Sequence, residues 1–171
     1  SGDGDVNGDG YADVIVGASQ YDNGETDKGR VFVYHGSPTG LAPAAAWTAE
    51  SDQAGAQLGY SVAGAGDVNG DGYADVVVGA PQYANGQSNE GRALVYHGSP
   101  SGLGAAAAWT AESDQAGGRL GCSVSGDGDV NGDGYADVIV GTPQYDNGET
   151  DEGRVFVYYG SAAGLAPAAA W

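Results

Sequence analysis

The chain has 171 residues, 33 of them glycine, and sets 23 Asp and Glu against 5 Lys and Arg for a formal charge of −18. So acidic a surface offers few counter-charges to phosphates or anionic lipid, which excludes nucleic acid and membrane insertion as partners. Disorder is excluded as well, because 41% of the residues are hydrophobic and they gather in runs such as VIVGA and VFVYHG.

The first element, DVNGDGYAD at 5–13, returns at 67–75 and at 129–137. Trp47, Trp109 and Trp171 follow at the same regular step, so one full unit is the length of 48–109. The chain falls short of three such units, and the missing block corresponds to TAESDQAGAQLGYSV at 48–62. The units are therefore 1–47, expected to lack its innermost strand, 48–109, and 110–171, each of the later two with its incoming connection. Oxygen-bearing side chains stand at positions one, three, five and nine of each nonapeptide: Asp5, Asn7, Asp9 and Asp13; Asp67, Asn69, Asp71 and Asp75; Asp129, Asn131, Asp133 and Asp137. Alternate positions of a curled loop point inward, and the glycines between them allow the positive φ that curling needs. The carbonyl at position seven, from Tyr11, Tyr73 or Tyr135, adds another oxygen.

An all-oxygen set with three carboxylates suits calcium better than magnesium, which keeps its waters, or zinc, which prefers nitrogen and sulfur. About one Ca²⁺ per unit, three in total, is expected. An EF-hand or dockerin loop shares the first half of this pattern. Those loops continue to an acid at position twelve, where this chain has Val16, Val78 and Val140. A metal-free acidic turn is the bland alternative, opposed by the mutual repulsion of three carboxylates with nothing basic nearby in sequence.

Four strands follow per unit. ADVVVGA (74–80) is a continuous β-branched run, expected to be covered on both faces. GRVFVYHG (29–36) and GRALVYHG (91–98) alternate, placing Val31 and Val33 on one face and Arg30, Phe32 and Tyr34 on the other. LGYSVAGAG (58–66) is small and alternating, as an innermost strand must be where wedge-shaped sheets converge. AAAAWTAE (105–112) is hemmed in by glycines and reads as the fourth strand rather than a helix. Short antiparallel strands in a long repeat make an all-β chain of four-stranded β-propeller blades, just under three of them. A stacked solenoid is the rival, but this repeat is long for a single coil.

The stretch LGYSVAGAGDVNGDGYADVVVGAP, followed by GRALVYHGSPSGL, resembles the FG-GAP repeat of the integrin α-subunit β-propeller and its bacterial relatives. The resemblance covers essentially the whole chain. Leu58-Gly59 and Leu120-Gly121 stand for the FG pair, and Gly79-Ala80-Pro81 for GAP, which becomes Gly17-Ala18-Ser19 and Gly141-Thr142-Pro143 elsewhere. It implies a seven-bladed, usually extracellular propeller with calcium in hairpin loops on one face, hence a secreted or cell-surface location, and names no ligand.

Other residues offer little chemistry. His35 and His97 align, but Tyr159 takes the third place, so they read as strand-end surface residues. Ser37, Ser99 and Ser161 sit in GSPTG-type turns. Arg30, Arg92 and Arg154 read as partners of nearby acids, and Cys122, aligned with Tyr60, as a small buried hydrophobe. The tryptophans, with Tyr21, Tyr83 and Tyr145, read as packing between blades or as sugar platforms, packing being favoured. The connectors DNGETDKG, ANGQSNEG and DNGETDEG read as solvated loops.

No catalytic residue is expected. The favoured function is a calcium-stabilised, non-catalytic scaffold for adhesion or for a protein or glycan ligand. The alternatives are an accessory propeller of a secreted hydrolase, a lectin-like binder, or an amplified or designed self-assembling repeat, since 3–47 and 127–171 differ at only six positions. Fewer than three blades cannot close a ring. The chain is thus expected to belong to a longer propeller or to self-associate, two copies giving about six blades.

Overall fold

The computed structural model describes residues 4–171, apart from the Asp127 side chain. Residues 1–3, where the first unit opens, lie outside the described residues. Ten strands form three antiparallel sheets and, among the described residues, there is no helix. The first sheet contains β1 (Val14–Ala18), β2 (Arg30–Tyr34) and β3 (Trp47–Glu50), in that order. The second orders β4 (Ser61–Gly66), β5 (Asp75–Ala80), β6 (Arg92–Tyr96) and β7 (Trp109–Glu112). The third orders β8 (Ser123–Gly128), β9 (Asp137–Thr142) and β10 (Arg154–Tyr158). These are up-and-down propeller blades, and β3 and β7 each begin at the repeated tryptophan.

Two strands are shorter than their sequence suggests. The alanines at 105–108 stay in bends, and β7 starts only at Trp109. Methyl groups bury too little on a pleated surface to hold a ladder, whereas the indole packs across to the next sheet. Leu58-Gly59 likewise precedes β4 and makes a parallel bridge to Gly29 of the first unit. Its role is to join units. A bulge at Gly64–Gly66 ends β4 and turns the chain into the nonapeptide.

Burial follows the stacking of the three sheets. Every residue of β5 is buried, as a strand covered on both faces should be. One core joins Ile15, Val31 and Val33 of the first sheet to Val76, Val78 and Tyr96 of the second. The other joins Val77, Ala93 and Val95 to Val138, Val140 and Tyr158 of the third. The end sheets therefore have one covered face each. Val16 is 43% exposed on one, while Ile139 and Val155 are 39% and 42% exposed on the other.

The glycines of the repeat mark where consecutive sheets touch backbone to backbone. A Cβ on Gly17 would lie 2.0 Å from the Gly59 carbonyl oxygen, and one on Gly79 2.0 Å from that of Gly121. The two halves of the repeat signature thus meet each other across units. Inner strands β4 and β8 are equally close, since a Cβ on Gly126 would fall 2.4 Å from the Ala65 Cα.

The aromatics are packing elements. Trp47 meets Tyr96 edge-on at 4.7 Å and donates from Nε1 to the Gly104 carbonyl at 3.0 Å. Trp109 repeats this with Tyr158 at 4.6 Å and with the Ala166 carbonyl at 3.0 Å. Tyr83 lies under the Arg92 guanidinium, 3.7 Å from ring centroid to Cζ. Cys122 is only half-buried and Tyr60 is exposed, which corrects the expectation of a buried hydrophobe there.

Candidate metal centre

The second and third nonapeptides follow β4 and β8, and all three close on themselves through their own side chains. Gly8 and Gly10 take φ of 73° and 89°, as the curl requires, and the other two copies repeat these values closely. Asp5 Oδ1 accepts from the Gly8 and Asp9 amides at 2.6 and 3.1 Å, and Oδ2 from Gly10 at 2.7 Å. Asn7 Oδ1 accepts from the Asp9 amide and Asp9 Oδ1 from the Tyr11 amide, both at 3.0 Å. Asp67, Asn69, Asp71 and Tyr73 repeat these bonds, as do Asp129, Asn131, Asp133 and Tyr135. Positions one, three, five and seven thus share one tight loop.

Position nine is different. Asp13, Asp75 and Asp137 are buried and cross-link the hairpin. Asp75 Oδ2 accepts from the Val68 amide and Oδ1 from the Gly98 amide, both at 2.9 Å. Asp13 does the same with Val6 and Gly36, and Asp137 with Val130 and Gly160.

Two of these carboxyls, in different loops, move in opposite directions. Burial pushes Asp75 up to about 6, against the opposing pull of the Gly98 and Val68 amides and of His97, with Asp71 adding to the rise. Asp129 moves the other way, because the Gly134 amide, then those of Gly132, Asp133 and Asn131, stabilise its charge against a smaller desolvation.

The loops also join neighbouring units. The Tyr73 ring covers the first loop so closely that a Cβ on Gly8 would meet its Cε1 at 2.6 Å, and Tyr135 covers Gly70 in the same way. The Ser99 amide donates to the Val6 carbonyl at 3.1 Å, and the Ser161 amide to that of Val68. Asn7 and Asn69 each lie 3.2 Å from a histidine Nδ1, of His35 and His97. These histidines are half-buried with Nε2 enclosed, so they support the loop instead of sitting free at a strand end. Sequence reasoning saw the tyrosine at position seven only for its carbonyl; the ring's regular return was the signal for its packing role.

The donor set fits a hard divalent cation. It is all oxygen, and among the described residues no Lys or Arg forms an ion pair with any nonapeptide carboxylate. The arginines that do pair take other acids, Arg30 with Glu50 at 3.1 Å and Arg92 with Glu112. Arg154 lies over the Tyr145 and Phe156 rings. Three acids of a different kind, Glu90, Glu112 and Asp114, bring one oxygen each within 4.8 Å of the others. Sequence spacing did not suggest them, since Glu90 belongs to a connector read as solvated and is in fact wholly buried.

The turn serines are taken up locally: Ser37, Ser99 and Ser161 donate to the carbonyls of Gly40, Gly102 and Gly164 at 2.6–2.8 Å. No helix among the described residues is long and apolar enough to cross a membrane.

The FG-GAP repeat model matches residues 4–34, 58–96 and 123–158. Integrin alpha-6 of Gallus gallus is 34% identical over 144 residues, covering 81% of this chain and 12% of that protein. Integrin alpha-PS2 of Drosophila melanogaster is 37% identical, covering 80% of this chain and 11% of its own length. Integrin alpha-5 of Xenopus laevis is 28% identical over 95% of this chain and 16% of its own length. The chain thus spans under a fifth of the length of each of these relatives. It belongs to the FG-GAP repeat family.

Proposed function

We propose that the chain is a non-catalytic, extracellular propeller scaffold of the adhesion type, in which three calcium ions lock the nonapeptide loops. The carrying observation is the loop itself: in each copy three carboxylates share one curled hairpin with no Lys or Arg paired to them among the described residues, and the following unit rests on the first two loops. Asp5, Asn7, Asp9 and Asp13, with the Tyr11 carbonyl, would hold the first ion, and the corresponding residues the second and third. Bound calcium would neutralise the loop and so fix the hairpin that supports the following blade.

Calorimetry tests this directly. Asp71→Ala is expected to remove one calcium per chain and leave the other sites titratable. At the second loop the ion must also displace the Asp75 proton, whose carboxyl stands at about 6. Its affinity should therefore be about tenfold weaker at pH 5 than at pH 7. In calcium-free buffer the sign reverses. The native state holds that proton where an unfolded aspartate, at about 3.9, has lost it, so stability should fall as pH rises from about 4 to about 6. Affinity at this loop that does not change with pH would remove Asp75 from the donor set.

The two outward faces support a second part of the proposal, self-association. Ile139, Val155 and Val157 are the counterparts of Val77, Ala93 and Val95, which are buried against a neighbouring sheet. Val16 is likewise the counterpart of buried Val78. A recess of roughly 820 Å³ beside Gly141 and Trp171 lies where Gly79 receives Gly121 in the middle unit. A second copy would seat its first sheet on this face, head to tail, two copies giving about six blades. Sedimentation velocity should show a concentration-dependent dimer that Val155→Asp reduces to monomer. A folded wild-type monomer at every concentration would overturn it.

A further inference from the structure

Aligning the units on their tryptophans places Glu90 opposite Lys28, Glu112 opposite Glu50, and Asp114 opposite Asp52. In the first unit Lys28 Nζ stands 2.8 Å from Glu50 Oε2, and Arg30 Nη1 3.1 Å from Oε1. Asn23 Nδ2 completes the arrangement by donating to Glu50 Oε2 at 3.0 Å. The middle unit keeps two of these partners. Arg92 Nε donates to Glu112 Oε1 at 2.7 Å, and Asn85 Nδ2 to Oε2 at 2.9 Å. The ammonium, however, is replaced by a carboxylate.

That carboxylate is not turned out to solvent. Glu90 is 0% exposed. Its Oε1 accepts from the Asn85 amide, and its Oε2 is enclosed with no hydrogen-bond partner. Its main chain is held too, because Ser113 Oγ donates to the Glu90 carbonyl at 2.7 Å. A buried carboxylate oxygen without a donor, beside two further carboxylates, is unfavourable unless something positive meets it.

We propose that a divalent, oxygen-seeking cation of the calcium class binds between Glu90, Glu112 and Asp114, in the place the Lys28 ammonium takes in the first unit. The charge agrees. Three carboxylates beside Arg92 leave an excess of two negative charges, which a divalent ion cancels. The spacing agrees as well. Calcium–oxygen distances of about 2.3–2.6 Å put oxygens on one ion at most about 5 Å apart, and here they lie within 4.8 Å. Zinc would want nitrogen or sulfur, and magnesium would retain most of its water. The ion ties the connector at 84–91 to the residues that follow β7, and so fixes the crossing from the second sheet to the third. This site is separate from the nonapeptide loops and does not depend on them.

The test counts calcium bound per chain at saturation, by equilibrium dialysis, in wild-type protein and in Glu90→Gln, Glu90→Lys and Asp71→Ala, with circular dichroism to verify folding. Glu90→Gln should weaken one site by at least about tenfold. Glu90→Lys should bind one calcium fewer and, carrying its own cation, melt higher than wild type in EDTA. If both Glu90 variants bind as much calcium as wild type with unchanged affinity, the proposal is wrong, whatever Asp71→Ala does. Loss of one calcium in the Glu90 variants but none in Asp71→Ala would sustain this site and overturn the nonapeptide reading. Terbium-soaked crystals of unmodified protein make the decision independent of any variant: anomalous density between the three carboxylates supports the site, and its absence in a saturated crystal overturns it.

Discussion

Chelating calcium with EDTA will lower the melting temperature of the protein by about 5–10 °C for each nonapeptide ion removed. An ion present at a hundredfold its dissociation constant stabilises the native state by about 2.7 kcal/mol. A domain of this size shifts by roughly 2–4 °C per kcal/mol. The physical source is the loop. Its amides already converge on Asp5, Asp67 and Asp129, so the chain has met the entropic cost of the curl, and what remains uncompensated is charge. The effect should reach beyond the hairpins, because Tyr73 and Tyr135 of the following units lie on Gly8 and Gly70. Differential scanning calorimetry in EDTA and in millimolar calcium measures it. Coincident transitions would show that these carboxylates hold no ion of structural consequence.

Gly79→Ala should cost about 3 kcal/mol or more, lowering the melting temperature by about 6–12 °C. The same change at Gly141 should stay within about 1 kcal/mol. Both glycines face a serine Oγ of their own sheet, Ser61 at 2.4 Å and Ser123 at 2.3 Å from the added Cβ, and a hydroxyl can rotate away. Only Gly79 also faces a backbone oxygen of the next sheet, that of Gly121 at 2.0 Å. A backbone oxygen cannot rotate away, so the whole sheet must shift and the core of Val77, Val95 and Val138 opens with it. The comparison should be run at a dilution where sedimentation shows monomer, since a second copy docked as proposed would bring Gly141 a neighbour of its own. Equal effects at the two positions would mean that consecutive sheets do not meet through this glycine pair.

Much of this is legible in the chain alone. A regular period marked by DVNGDGYAD and tryptophan, with β-branched alternation between glycine-rich turns, specifies blades, because each of these signals is local. The oxygen positions of the acidic loop are legible for the same reason: one unbroken nonapeptide carries the whole pattern. Three-dimensional packing settled the rest. Nothing near Glu90 in the chain shows that Glu112 and Asp114 fold against it, or that Lys28 performs the opposite electrostatic service one unit earlier. Nor does any local pattern show that Leu58-Gly59 is a joint between units instead of the start of a strand. Such features arise from one sheet lying on another. Side chains far apart along the chain then share a dry space, and whether a carboxylate is solvated, paired or left waiting for a cation is decided by what arrives opposite it.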